Sequence, residues 1–280
     1  MSLAVAFVMA REHRNQGSSL NPKLHYRIRA GEPDDAERLY ETLCDSFHSD
    51  SGDREGLTPT AVFATWLANA KVQYRLIETV DRRDRVHMLK GFYSIHPLTE
   101  GAYEALKHTR LHHDSISDEH LVAMNVNGSR TDSREGIVLF ILDLETTRQG
   151  MDRKAAAYLL VDLLEQIRRA ISCNTVLTIA ALGASKEGKD WCEKLGLKLA
   201  SRYFVSDYGD WGIYATPRMS IARYIEMLLG NGWPQGIREA SYPYEVDARI
   251  EQAVCILNES LSELHAKRPR KAPVRGRRSS

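Results

Sequence analysis

The sequence predicts an α/β domain: a central sheet with helices packed on it. Three observations predict it. Ile137 to Leu142 is an unbroken apolar run, as expected of a strand covered on both faces. It leads through a turn into a long segment whose apolar residues recur at helical spacing, and then into a second buried-looking strand, Thr175 to Ile179. On either side of this unit lie short segments of strand character joined by polar turns, the pattern of antiparallel pairs.

Taken in order, residues 11–23 are polar, with Gly17, Ser18, Ser19 and Pro22, and read as a linker. Leu24 to Arg29 alternates apolar and polar, a half-buried strand. Gly31-Glu32-Pro33-Asp34 opens a helix with Ala36, Leu39, Tyr40, Leu43 and Phe47 inward. Residues 48–57 form a loop. Thr58 or Thr60 caps a helix through Val62, Phe63, Trp66 and Leu67. Val72 to Ile77 and Val86 to Ile95 make a hairpin around the charged turn Asp81 to Arg85. Pro97 to Arg134 is too long for a plain connection. Ala102, Ala105 and Leu106 are spaced for one face of a helix there, and Asp118 to Asn125 is a short strand or helix.

Beyond the first strand of the core, Thr146 to Gly150 turn into the long helix, with Ala156, Leu159, Leu160, Leu163, Leu164 and Ile167 on one face. After the second core strand, Ser185 caps a short helix that stops before Gly196. Ala200 to Val205 and Gly212 to Ala215 read as paired strands with Tyr208 to Trp211 between them. Ser220 to Leu229 and Val246 to Leu264 are two helices. The expected division is a flexible segment over 1–23, the α/β domain over 24–216, a C-terminal helical extension over 217–265 and a disordered basic tail over 266–280.

Composition bounds the partners. Apolar residues make up 43% and charged residues 27% of the 280, ordinary for a globular chain. The formal net charge is +1, yet the last fourteen residues hold seven Lys and Arg and no acid, so the body is slightly acidic. No nucleic-acid partner is expected from that balance, and the tail lacks the aromatic residues that would stack on bases. The apolar stretch Ser2 to Ala10 has no preceding basic residue and is much shorter than the roughly 20 residues of a span. Neither a targeting signal nor a membrane partner is expected. Cys44, Cys173, Cys192 and Cys255 are far apart, which fits reduced thiols in the cytoplasm and neither a zinc site nor a disulfide framework. His112-His113-Asp114 holds metal-capable residues, but adjacent histidines in a regular element point apart and no third ligand is suitably spaced. No metal is expected.

The stretch Gly136 to Lys198 carries a family resemblance. Thr147-Arg148-Gln149-Gly150-Met151-Asp152 sits between strand and helix, and Cys192-Glu193-Lys194-Leu195-Gly196-Leu197 ends the second helix. The stretch resembles the acyl-CoA-binding core of the GNAT superfamily of N-acetyltransferases. That family's pattern runs strand, Arg/Gln-x-x-Gly-x-Gly/Ala, helix, strand, then a helix ending in a Tyr-x-Lys-Leu-Gly-Phe-like phrase. Ile28-Arg29-Ala30-Gly31, followed by Pro33-Asp34-Asp35-Ala36, is similar to the family's first strand and helix. Thr147 stands in place of the Arg/Gln, Asp152 in place of the last small residue, and Cys192 in place of the tyrosine.

The resemblance implies a GNAT-like fold, with a mixed, mostly antiparallel central sheet flanked by helices. It implies acetyl-CoA or another acyl-CoA as co-substrate and an amine acceptor, small molecule or protein. A homodimer is compatible with it. The backbone of Leu142 and Leu144 would hold pantetheine. Arg148, Gln149, Gly150, Met151, Asp152, Arg153 and Lys154 would surround the pyrophosphate, where a helix N-terminus offers free N–H groups and partial positive charge. Asp152 opposes an anion there, and the three basic residues offset it. Candidate bases are Glu135, at the start of the central strand, and Glu145, which shares a strand face with Asp143 by the period of two. Cys192 replaces the usual acid; the alternative for it is a small apolar residue on a helix's inner face. The function implied is N-acyl transfer by direct attack on the thioester. The alternative is a non-catalytic GNAT-like binding or regulatory module.

Overall fold

The computed structural model describes residues 25–47, 57–81, 83, 85–123, 137–146, 153–170, 176–184, 186–203, 211–220, 223–224 and 227–228. Among these residues eight strands form one sheet: β1 (His25–Ala30), β2 (Gln73–Val80), β3 (Val86–Thr99), β4 (Ile137–Thr146), β5 (Val176–Gly183), β6 (Lys198–Tyr203), β7 (Trp211–Ala215) and β8 (Met219–Ser220). The order is β1-β2-β3-β4-β5-β7-β6, with β8 beside the start of β5. Among the described residues only β4 and β5 pair in parallel, and the other ladders are antiparallel. This is the mixed, mostly antiparallel sheet that the family resemblance implies.

Helices cover both faces. On one lie α1 (Ala36–Phe47), α2 (Thr60–Leu67) and α3 (Glu100–Lys107). Leu39, Leu43, Phe63, Trp66, Tyr103 and Leu106 there meet Leu76, Phe92, Leu98 and Phe140 from the sheet. On the other lie α4 (Arg153–Ala170) and α5 (Lys186–Lys194). Leu159, Leu163 and Ile167 of α4 meet Ile77, Tyr93, Ile95, Leu139 and Ile179. The apolar run of β4 is thus covered on both sides: Leu139 and Ile141 face α4, while Val138 and Phe140 face α1 to α3.

Several elements differ from the sequence reading. β3 runs on to Thr99, whose side chain caps α3 by accepting from the Ala102 N–H. Pro59, not a threonine, stands at the cap position of α2. Thr58 instead donates to Asp114 at 2.7 Å, and Thr60 is the first helical residue. Asp118–His120 is a short 3-10 turn, and Leu121 then bridges to Leu98, so helix-like and strand-like pairing follow each other. The helix expected from Ser220 does not begin there: Met219 and Ser220 pair with Leu177 and Val176, and helical residues follow at 223–224 and 227–228. Gly196 does end α5, with φ 73°, a conformation that costs glycine nothing. The linker over 1–23, the Ser185 cap, the second C-terminal helix and the basic tail lie outside the described residues.

Polar pins fix the helices. Asp162 of α4 accepts from Arg75 Nε at 2.9 Å, Arg75 Nη2 at 3.2 Å and the Tyr93 hydroxyl at 2.6 Å. Asp162→Ala would leave a half-buried guanidinium and a buried hydroxyl without their acceptor. Unfolding in urea should show a loss of about 2 kcal/mol, and Asp162→Asn should lose less.

Candidate active site

The β4–β5 ladder runs from Ile137↔Leu177 to Ile141↔Ala181 and stops. Both strands continue, β4 to Thr146 beside β3 and β5 to Gly183 beside β7, without pairing to each other. The sheet therefore opens between two of its central strands. Among the described residues, the backbone of β4 beyond Ile141 makes no ladder pair with β5.

An irregularity in β4 coincides with the opening. Tyr93 pairs with Leu144 but Ile95 pairs with Ile141, so three steps of β4 oppose two of β3. This is a β-bulge, which shifts the alternation by one residue. Leu142 belongs to the core under α1 to α3, and Asp143, which strict alternation would send to the other face, reaches the same side. Alternation then resumes, with Leu144 packed on the α4 side.

Asp143 is the first ionisable residue past the last β4–β5 pair, and it is buried with 6% of its surface exposed. Its Oδ2 accepts from Ser94 Oγ at 2.9 Å and from the Tyr74 hydroxyl at 3.4 Å. Burial pushes its pKa up to about 7; the bonds from Ser94 and Tyr74 oppose the rise, and the charge of Asp114 adds to it. Next in line, His96 Nε2 lies 3.2 Å from Ser94 Oγ. The His96 ring is fully buried, 4.8 Å from Trp66 and nearly perpendicular to it. Burial, helped by the charge of His113, lowers its pKa to about 3, so the ring is neutral.

A second polar group sits in the connection after α3. His113 is buried beside Tyr203 and Trp211, and its backbone N–H donates to the Tyr203 hydroxyl at 2.9 Å. Its Nε2 is 3.1 Å from Asp114 Oδ1. Burial lowers its pKa to about 4 against the pull of Asp114. Contrary to the expectation that adjacent histidines point apart, the rings of His112 and His113 are 4.3 Å apart. His112 caps a short 3-10 turn rather than lying in a regular element, so the two side chains share a side. The ligand atoms of His112, His113 and Asp114 lie within 4.8 Å of one another, yet Thr58, Tyr203 and the turn's own backbone already engage them.

The residues picked out from sequence are distributed as follows. Leu142 is buried and Leu144 half-buried, at the opening. Glu145 pairs with Phe92 and is half-buried. Glu135, Arg148, Gln149, Gly150, Met151 and Asp152 lie outside the described residues, and Arg153 and Lys154 are described only as the first residues of α4. Cys192 is buried in the core on the α4 and α5 side, with Leu195, Tyr214 and Tyr224. Burial, then the charge of Glu193, pushes its thiol up to about 12, so it holds its proton at neutral pH. Sequence reasoning does not single out Ser94, His96 or Tyr74. Ser94 and His96 carry a signal, polar residues at alternate positions of the otherwise apolar stretch Gly91 to Leu98, whereas Tyr74 in the mixed strand β2 carries none.

No family model matches the chain, and no curated protein matches it by sequence. Solved structures do resemble it. NAA60 of Arabidopsis thaliana, in complex with acetyl-CoA, has a TM-score of 0.44 at 14% identity, covering 68% of this chain and 96% of that one. A spermidine N-acetyltransferase, a chimera of SpeG from Vibrio cholerae and hSSAT, has 0.41 at 11%, covering 71% and 98%. An aminoglycoside 6'-acetyltransferase of type Ii has 0.39 at 12%, covering 69% and 99%. These neighbours are GNAT acetyltransferases. Likeness at this level is one of general outline.

Proposed function

We propose that the protein is an N-acyltransferase that moves an acyl group, most simply acetyl, from acyl-CoA to an amine. The observation that carries the reading is the opening between β4 and β5 with the Asp143 carboxylate beside it. Backbone groups along an extended strand that has parted from its neighbour suit a ligand arm that is itself extended and carries amides, such as pantetheine. A backbone N–H in the stretch from Leu142 to Glu145 would polarise the thioester carbonyl as an oxyanion donor does. The pyrophosphate would lie at the N-terminus of α4, held by the turn that includes Arg148, Gln149 and Gly150.

Asp143 is the base in this scheme. An ammonium must lose a proton before its nitrogen can attack. Asp143 takes that proton, the nitrogen bonds to the carbonyl carbon, and the carbon–sulfur bond breaks. The electrons leave on the CoA sulfur, and the second proton that the nitrogen sheds as the amide forms goes to that sulfur or to water, which yields the amide and free CoA. A free thiol has a pKa of about 8.5, so a departing thiolate needs little acid assistance near neutral pH. The scheme therefore requires no proton from Cys192. Glu145, on the same side of the strand two residues on, is the second candidate for the base.

Calorimetric titration with acetyl-CoA tests the reading, together with thiol release in the presence of a panel of amines. Saturable heat and amine-dependent release of free CoA are expected. No heat at millimolar ligand would leave a non-catalytic module as the function. Replacing Gln149 by Ala together with Gly150 by Val should weaken acetyl-CoA binding at least about tenfold, or 1.4 kcal/mol, with the thermal midpoint unchanged. Unchanged affinity would contradict the placement of the pyrophosphate.

A further inference from the structure

We propose that Ser94 and His96 are positioning residues for Asp143, a one-way hydrogen-bond chain that keeps its carboxylate oriented as a proton acceptor. The proposal rests on the acyl-transfer reading above for its purpose, but its geometry stands on its own.

The direction of the chain follows from counting protons. An ionised carboxylate can only accept, so the single Ser94 hydroxyl proton goes to Asp143 Oδ2, 2.9 Å away. The Ser94 oxygen must then accept from the His96 ring, 3.2 Å away. That assigns the ring hydrogen to Nε2 and leaves Nδ1 bare. Among the described residues Nδ1 has no hydrogen-bond partner, although it is buried. The ring is enclosed by Trp66 and Tyr74, at 4.8 and 6.1 Å between ring centres. A phenylalanine would fill such a place without burying an orphan nitrogen. What histidine adds is the Nε2–H, and its one recipient is Ser94.

The other charges near the carboxylate do not supply this orientation. Tyr74 of β2 donates to the same Oδ2 at the longer distance of 3.4 Å. Glu145 on β4 and Asp114 after α3 are acids and donate nothing when ionised. His113 lies near His96 but is itself held neutral by burial. Both bonds to Asp143 fall on Oδ2, which leaves Oδ1 as the oxygen to take a proton from an amine.

The test uses nitrogen-15 and carboxyl carbon-13 NMR on the full chain, with rate measurements beside it. In the wild type, the His96 ring should show a protonated Nε2 and a bare Nδ1, unchanged down to pH 5. A ring protonated on Nδ1, or charged at pH 5, would overturn the chain. In Ser94→Ala, the Asp143 carboxyl titration should move up by about one pH unit. The acid limb of kcat/KM should move with it, and KM for acyl-CoA should stay as it was. His96→Phe should shift the same limb less. His96→Gln, whose amide can donate to Ser94, should restore part of the shift and serves also if His96→Phe fails to fold. An Asp143 titration unmoved by Ser94→Ala overturns the proposal whatever the activity. Absence of acyl transfer in the wild type, with the titration moved as expected, overturns the acyl-transfer reading instead.

Discussion

Asp143→Asn should slow acyl transfer by about a hundredfold or more while leaving the protein no less stable at pH 8. Asparagine keeps the volume and can accept from Ser94, but it cannot take a proton from an ammonium. Stability follows from the raised pKa. Folding makes the carboxylate ionise near 7 rather than at its ordinary 3.8, so the folded state binds the proton more tightly than the unfolded one. The wild type is therefore fully supported by this group below about pH 4, loses that support as pH rises towards 7, and has lost it by pH 8. The penalty at pH 8 is at most of the order of 4 kcal/mol. The asparagine variant has no such slope. Thermal midpoints from pH 5 to pH 8 should fall for the wild type relative to the variant. The wild-type rate should rise over the same interval as the carboxylate forms. A variant that keeps wild-type kcat would remove Asp143 from the mechanism and pass the role of base to Glu145.

The second large effect belongs to the edge of the sheet. Glu78 of β2 is fully buried and receives Arg27 at 3.0 Å, Arg29 at 3.0 and 3.1 Å, and Arg38 at 3.1 Å. Asp35, in the 3-10 turn just before α1, shares Arg29 at 2.6 and 2.7 Å and Arg38 at 3.2 Å. Two acids and three guanidiniums thus tie β1, β2 and α1 together. Glu78→Ala should cost about 3 kcal/mol, the low end for breaking a buried ion pair, because the arginines remain partly exposed and can turn to water. The charge cluster also predicts acid sensitivity. Burial works against both carboxylates, but the bonds from the arginines win and hold both pKa values below the ordinary 4.5 and 3.8. Their contribution is complete above those ordinary values and drains away as pH falls below them. Glu78→Ala should therefore flatten the loss of stability below pH 4.5 in an acid titration followed by circular dichroism. An unchanged acid limb would mean that other carboxylates govern acid unfolding.

Much of this fold is legible in the sequence because its signals are local. The apolar run of β4, the helical spacing in α4, the hairpin of β2 and β3 and the glycine after α5 each follow from neighbouring residues alone. The site is less legible because its decisive events are not local. Nothing in Leu142-Asp143-Leu144 announces that one extra residue is accommodated there; the bulge exists only relative to β3. Strict alternation places Asp143 on the α4 face, so its meeting with Tyr74 and Ser94, 69 and 49 residues away, could not be read. His96 looks like one more polar residue in a strand, and its enclosure by Trp66 depends on how α2 lies across the sheet. For Cys192 the sequence allows both an acid and an apolar filler, and burial of that thiol among leucines and tyrosines is set by packing that no neighbouring residue announces.

The surplus residue in β4 has a consequence for how tolerant this chain can be. A strand in perfect step with its partner could lose or gain residues at its end and merely shorten or lengthen. Here the count between Ile141 and Leu144 decides which side of the molecule carries an acid. Slipping β4 by one residue into regular pairing with β3 beyond Ile141 would make the sheet more regular, and it would also turn the carboxylate towards greasy contacts with the long helix. Regularity and reactivity are thus set against each other at one link of the backbone.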